Sequence, residues 1–157
     1  MGRWEEFINE LSKKRKIVAR IICFNEKKEF LIIKRSPQED SYRGYWDLPG
    51  GHVDKDDYSI EMGAIRELDE ETSLVAREED LIYVGQTENK EADCYFYTTN
   101  QWQGSVKFKK NPKSGIIEHS EAKWVTIDRL KGEKTLELRT FPAYLLDKAI
   151  EKIEIKN

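Results

Sequence analysis

The sequence predicts an α/β fold of the α+β kind, a mixed β-sheet covered by helices on both faces. Three observations predict it. Apolar residues recur at helical spacing near both ends of the chain and once in its middle. Between these stretches lie short β-branched and aromatic runs bounded by polar turns. A long segment rich in Pro, Gly, Ser and Asp separates the first two such runs from the central helix.

The elements follow in order. Residues 3–13 place Trp4, Phe7, Ile8 and Leu11 at three- and four-residue steps, which predicts a short amphipathic helix. "KIVARIICF" (16–24) and "EFLIIKRS" (29–36) predict two strands, joined as a hairpin through the polar turn "NEKK". "PQEDSYRGYWDLPGGHVDKDD" is irregular, and loops of this length inside compact domains are often functional. Residues 59–72 turn helical. Residues 81–87, 92–99 and 104–109 predict strands, 111–115 a loop and 122–128 a further strand. A closing helix over 139–154 carries Phe141, Leu145, Ala149 and Ile153 on one side. No repeat, low-complexity stretch or linker divides the chain. A single domain over residues 1–157 is therefore expected.

Composition excludes several classes. At 38% hydrophobic and 11% aromatic residues the chain is not compositionally disordered. Its 27 basic and 30 acidic side chains leave a net charge of −3, which gives no general grip on a nucleic-acid polymer or an anionic membrane. No apolar run approaches spanning length, and the N-terminus is too polar for a secretory signal. Glu6 stands where myristoylation at Gly2 needs Ser or Thr. Cys23 and Cys94 show no metal-site spacing and are expected as buried thiols in a reducing, cytoplasmic setting. Oligomeric state stays open, a homodimer included.

The chemistry concentrates in "RELDEE", residues 66–71. On a helical wheel Ala64, Ile65, Leu68 and Thr72 share one side and can pack on a sheet. Glu67, Glu70 and Glu71 stand at i, i+3 and i+4 and converge on an adjoining side. Asp69 points away. Arg66 stands four residues before Glu70 and can steady it. An acidic run alone is usually a solvated face, but three converging carboxylates also suit a hard divalent cation such as Mg²⁺. The helix C-terminus, the negative end of its dipole, suits a cation too. Gly63, on the carboxylate side, points to a close approach of backbone or ligand.

"LPGGHVD" (48–54) leads into this helix. Gly50 and Gly51 open conformations that other residues avoid, so backbone carbonyls and a phosphate can come close to the acids. Double glycine and acidic helix together are far more specific than either alone.

"GGHVDKDDYSIEMGAIRELDEETSL" resembles the signature box of the Nudix hydrolases. Arg66, Glu67, Leu68, Glu70, Glu71 and Leu74 match its REUxEExGU core, in which U is aliphatic. "WDLPGG" and "EAKWVTID" resemble the flanking strands. The chain departs in the loop. Gly51 lies one residue too far from Arg66, and the expected glutamate is Asp57 counted from Gly51 or Tyr58 counted back from Arg66. Ser73 replaces the glycine after the helix.

The resemblance implies an α/β/α sandwich and hydrolysis of a pyrophosphate bond in a nucleoside diphosphate linked to X. It implies Mg²⁺, with Mn²⁺ as the alternative, held by Glu67 and Glu71, with Glu70 and the Gly51 carbonyl adding oxygens. Arg66 would orient a glutamate. A further acid from outside the box, Glu118 ahead of Glu121, would serve as ligand or general base, with His119 beside it in a loop. Tyr42 and Tyr45, in the long loop, are the aromatic candidates for ligand contact ahead of Trp46, Tyr95, Tyr97 and Trp102. Arg35 and Arg43 are the phosphate candidates.

Substrate class is less marked. The run from Leu31 to Gly51 is similar to that of coenzyme A pyrophosphatases, but Asp40 and Leu48 stand where those carry an arginine and a phenylalanine. The proline that ADP-ribose pyrophosphatases tend to carry beyond the box is missing from residues 85–93. A nucleoside triphosphate or oxidised nucleotide stays open, as does a nucleotide sugar. The rivals from other classes are a non-catalytic nucleotide-sensing domain, which loss of a box glutamate would favour, and an acidic interaction protein, which the glycine turn disfavours.

Overall fold

The computed structural model describes residues 2–37, 44–133, 138 and 143–156. Its elements are α1 (Arg3–Lys14), β1 (Lys16–Cys23), β2 (Phe30–Arg35), β3 (Trp46–Asp47), β4 (Gly50–His52), α2 (Ile60–Thr72), β5 (Ile82–Glu88), β6 (Ala92–Thr99), β7 (His119–Val125), α3 (Ile127–Gly132) and α4 (Ala143–Lys156). The fold is mixed α+β. One sheet has the order β4-β1-β6-β5, and a smaller one β3-β2-β7. β1 runs parallel to β6, and the other pairings are antiparallel.

Alternation along the strands builds two cores. Ile17, Ala19, Ile21 and Cys23 of β1 pack with Ile8 of α1 and with Ala64 and Leu68 of α2. Ile22 joins Val84 and Phe96 against Leu145, Leu146 and Ala149 of α4. β2 serves both, with Phe30 and Ile32 on one side and Leu31 and Ile33 on the other. That is why its sequence is a continuous apolar run rather than an alternating one. Leu68 is fully buried, and such burial contributes about 2 kcal/mol.

The expected hairpin between β1 and β2 is corrected. The chain does turn at Asn25, whose Oδ1 accepts from the Lys27 and Glu29 amides at 3.0 Å each. The two strands then meet only at the Phe24–Phe30 bridge. β1 has both edges taken, by β4 and β6, so β2 starts the second sheet.

The strand expected over 104–109 is not formed. Val106 and Phe108 do alternate inward onto the α2 core. The backbone, however, bonds the end of α2, with the Lys107 amide donating to the Thr72 carbonyl at 2.8 Å. β7 starts at His119, three residues before the expected strand, and the irregular segment contains β3 and β4. α3 was not expected. It opens with Thr126 as its cap, accepting from the Arg129 amide. Phe141, on the expected closing helix, lies outside the described residues. Cys23 is buried, whereas Cys94 is only partly so.

α2 shows how its ends are set. The Ser59 hydroxyl accepts from the Met62 amide at 3.0 Å. At the other end Ser73 takes the left-handed conformation (φ 68) where the resembled pattern has glycine. Its amide donates to the Asp69 carbonyl, and its hydroxyl to the Lys107 carbonyl at 2.9 Å. At such a position the order of small residues inverts relative to a helix interior. We expect Ser73→Gly to be more stable than Ser73→Ala by about 1 kcal/mol, read from urea unfolding midpoints.

Candidate active site

β1, β4, α2 and the segment from Asn111 to His119 enclose one cavity of about 500 Å³. Its lining includes Arg20, Arg35, Tyr45, Gly51, Arg66, Glu67, Glu70, Glu71 and Glu118. The candidate box residues, Glu118, Arg35 and Tyr45 are therefore in this one place, whereas the second-choice candidates Glu121, Trp46, Tyr95, Tyr97 and Trp102 do not line it. Tyr42 and Arg43 lie outside the described residues.

α2 presents its acids as the wheel predicts. Asp69 faces away and pairs with Lys109 at 3.0 Å. Glu71 is buried, and its Oε1 accepts from the Gly50 amide at 2.7 Å. Burial first, and then the neighbouring Glu67, hold its carboxyl well above the usual range. Glu67 is pushed up to about 6, again first by burial. Its carboxylate lies directly over Gly51, where a Cβ would come within 2.6 Å of its Cδ. The second glycine of the turn thus lets the acid lie where it does; a side chain there would push the carboxylate aside. Gly50 has φ 151, and a Cβ there would lie 2.1 Å from the Ala19 carbonyl oxygen.

Arg66 ties the helix to the loop before it. Its Nε and Nη2 donate to the two oxygens of Asp57, at 2.8 and 3.0 Å. Nη2 also donates to the His52 carbonyl at 2.9 Å, and Nη1 to Glu67 and Glu70 at 3.2 Å each. The structure separates the two residues that the sequence left open. Asp57 is buried and bonds Arg66, and Tyr58 is 85% exposed. Gly63 makes room for the loop rather than for a ligand or backbone. A Cβ there would lie 2.9 Å from Val53 and 3.0 Å from Asp57 Oδ2. The Trp4 indole N–H donates to the Asp57 carbonyl, so α1 braces the same loop.

Arg20 was missed in the sequence, although a lone cation inside the apolar run "KIVARIICF" was the signal. It pairs with Asp47 at 3.4 Å and donates to the carbonyls of Leu48 (3.0 Å) and Gly50 (3.3 Å). Burial is the largest single influence and opposes its charge, but the negative groups around it, Asp47 and Glu71 foremost, together raise its pKa.

His119 was expected in a loop. It is instead buried as the first residue of β7, paired in register with Arg35. Burial, then Arg35 and Arg20, push it down to about 3, so it is neutral at ordinary pH. Its Nε2 lies 3.7 Å from Glu71 Oε2. Glu71, Glu118 and His119 bring ligand atoms within 4.8 Å of one another, so they could hold a metal ion. Glu121 is near Lys34 (3.9 Å) and is not among the cavity residues. Of the other aromatics, Trp46 is core, Tyr97 donates to Glu61 at 2.9 Å, and Trp102 stacks on Trp124.

The NUDIX domain family model matches residues 14–148. The chain belongs to the NUDIX family. Among solved structures it is similar to the MutT protein from Methanosarcina mazei Go1. The two are 31% identical over 91% of this chain and 95% of that one, with a TM-score of 0.60. Two further structures share the fold. The MutT NUDIX hydrolase from Burkholderia pseudomallei is 18% identical over 85% of this chain and 97% of that one, with a TM-score of 0.65. The NUDIX domain of Shewanella oneidensis NrtR, complexed with ADP ribose, is 20% identical over 97% and 99%, with a TM-score of 0.68. No curated protein matches. As a NUDIX protein the chain is a pyrophosphohydrolase, acting on acid anhydrides. Among the described residues, no helix is long and apolar enough to cross a membrane.

The Arg66–Asp57 fork makes a prediction that separates the two loop registers. Removing one partner of a buried pair leaves the other uncompensated. Since Arg66 keeps some solvent contact, Asp57→Ala should cost about 2–3 kcal/mol. Tyr58→Ala should stay within about 0.5 kcal/mol. Thermal or urea unfolding of both variants checks this.

Proposed function

We propose that this NUDIX protein hydrolyses the pyrophosphate bond of a nucleoside diphosphate linked to X, or of a nucleoside triphosphate, with Mg²⁺ as cofactor and Mn²⁺ as substitute. The observation that carries the reading is the set of acids in one cavity. Glu67, Glu70, Glu71 and Glu118 line the space that Arg20 and Arg35 also line.

The donor set fits a hard divalent cation. Glu67 and Glu71 are partly to largely buried acids whose proton affinity is raised first by that burial and then by neighbouring carboxylates. Oxygen donors in small number are what Mg²⁺ prefers. Glu67, Glu71 and Glu118 would hold the ion, with Glu70 and the Gly51 carbonyl beside them. When bound, such an ion lets a polyanion enter an acidic cavity and makes water acidic enough to attack phosphorus.

The chain's own residues supply the rest. Arg66 orients Glu67 and Glu70 through hydrogen bonds of 3.2 Å each. Glu118 is the acid that would accept the proton of the attacking water as the bridging P–O bond breaks. Arg35 would meet a phosphate. Tyr45, 55% exposed, offers a ring to the base or sugar. Tyr42 and Arg43 are proposed for the same contacts from the sequence alone.

A panel of dGTP, 8-oxo-dGTP, ADP-ribose, UDP-glucose and coenzyme A tests the reading, with phosphate and nucleoside monophosphate release measured with and without Mg²⁺. Turnover of at least one member is expected only with Mg²⁺ or Mn²⁺. Binding without turnover of any member favours the sensing alternative. Glu71→Gln keeps an oxygen for the Gly50 amide, so its unfolding midpoint should hardly change while kcat falls at least about 100-fold. Turnover like the wild type's in that variant would sink the assignment.

The ion should also bind in a pH-dependent way. Glu67 holds its proton up to about 6 in the folded chain, against 4.5 ordinarily. The folded state therefore binds more protons between these values, and metal-free stability falls as pH rises through the window. Metal binding needs the carboxylate, so its contribution grows over the same window and releases protons. Thermal unfolding with and without MgCl₂ should show a clearly larger Mg²⁺-induced rise in Tm at pH 7.5 than at pH 5. An equal rise at both contradicts it.

A further inference from the structure

Residues 110–118 close over one side of the cavity, and their order depends on one amide. Lys110 and Ile117 bridge as antiparallel partners. Inside that bridge the Asn111 amide donates to the Ile116 carbonyl, and the Gly115 amide to the Asn111 carbonyl, each at 2.8 Å. The Asn111 side chain fills the turn. Its Oδ1 accepts from the Lys113 amide at 2.8 Å and the Ser114 amide at 3.3 Å. Its Nδ2 donates to Glu118 Oε1 at 2.6 Å. The orientation of the amide is forced by chemistry. Two backbone N–H groups need an acceptor on one side, and a carboxylate needs a donor on the other.

We infer that Asn111 is the positioning residue for Glu118. This rests on the proposed role of Glu118 as proton acceptor or metal ligand. The backbone of Glu118 is already fixed, since its carbonyl accepts from the Ser36 amide of the neighbouring chain segment at 2.7 Å. A glutamate side chain still has several rotamers, and ordering them costs on the order of 1–2 kcal/mol. The Asn111 amide removes that freedom before substrate arrives. It orients one oxygen while the same carboxylate stays within 4.8 Å of ligand atoms on Glu71 and His119. A neutral donor suits this task better than a lysine or arginine would. It sets direction without a full positive charge, which would lower the proton affinity of the acid. Asn111, Pro112 and Lys113 all line the cavity, so the turn that carries the amide also faces the substrate space.

Asn111→Asp isolates the contact. An aspartate keeps an oxygen for the Lys113 and Ser114 amides, so the turn and the melting temperature should persist. It replaces the donor with a carboxylate oxygen facing Glu118. The experiment measures kcat, KM and Tm for Asn111→Asp, Glu118→Gln and the double variant, using the panel nucleotide that the wild type turns over fastest. Expected is a fall in kcat of about 10- to 100-fold for Asn111→Asp, as for other groups that orient a catalytic ligand. KM should stay within about threefold, and Tm should not move. In the Glu118→Gln background the substitution should have no further effect, because its target is already gone. An equal loss in both backgrounds overturns the inference, since the damage is then to the turn. Unchanged kcat in Asn111→Asp, with Glu118→Gln impaired, overturns it and leaves the role of Glu118 intact. Wild-type turnover in Glu118→Gln overturns the role of Glu118 and this inference with it.

Discussion

Arg66 directs its guanidinium at the loop in front of its own helix and at the acids on either side of it. The fork onto Asp57, the bond to the His52 carbonyl and the contacts to Glu67 and Glu70 all come from one side chain. The rest of the site depends on this junction. Val53 packs on the α2 core, but the polar tie between the rest of the loop and α2 is Arg66, which also stands between Glu67 and Glu70. The donors are planar and rigid, so the fork sets an angle as well as a separation. Trp4 adds a third support from outside, since α1 precedes nearly all of the region that the NUDIX family model matches. A helix that could be taken as an appendage thereby reaches the loop that leads into α2.

The glycine turn solves the opposite problem, how to bring acids close rather than hold them apart. Gly51 has no side chain to keep Glu67 away, and the Gly50 amide donates directly to Glu71. Arg20 then clamps the turn through the Leu48 and Gly50 carbonyls while lying close enough to Glu71 to lower its proton affinity. The compensation is incomplete. Glu67 and Glu71 still hold protons more tightly than free carboxylates. Burial is the first reason, and each carboxylate adds to it through its acidic neighbour.

Much of this was legible because helical periodicity is local. The wheel separated Asp69 from Glu67, Glu70 and Glu71, and the structure keeps that division, with Asp69 on Lys109 and the others at the cavity. What was not legible depends on partners distant in sequence. β1 and β2 look like a hairpin because each is a good strand. Nothing local says that β1 will be occupied on both edges by β4 and β6. Residues 104–109 alternate as a strand does, since Val106 and Phe108 pack inward, yet their backbone bonds the end of a helix. His119 reads as a surface histidine until β7 is paired with β2, which buries it beside Glu71. Arg20 was visible as a charge in an apolar strand. Its role needed Gly50 and Asp47 to arrive from thirty residues away.

The departures from the family pattern also account for one another. The loop between Gly51 and Arg66 is one residue longer, and the acid it carries is one methylene shorter. Gly63 leaves space on α2 into which that shorter acid fits, with Oδ2 only 3.0 Å from where a Cβ would be. Oδ2 also accepts from the Asp54 amide at 3.0 Å, so it closes the longer loop on itself while bonding Arg66. The same logic holds at the far end of the helix. Ser73 accepts the left-handed conformation that glycine would take more cheaply, and its hydroxyl gains the Lys107 carbonyl, which glycine could not reach. That bond draws residues 106–108 across the helix end and leads the chain toward Asn111. Each substitution thus preserves the position of the acids on α2 by changing what surrounds them.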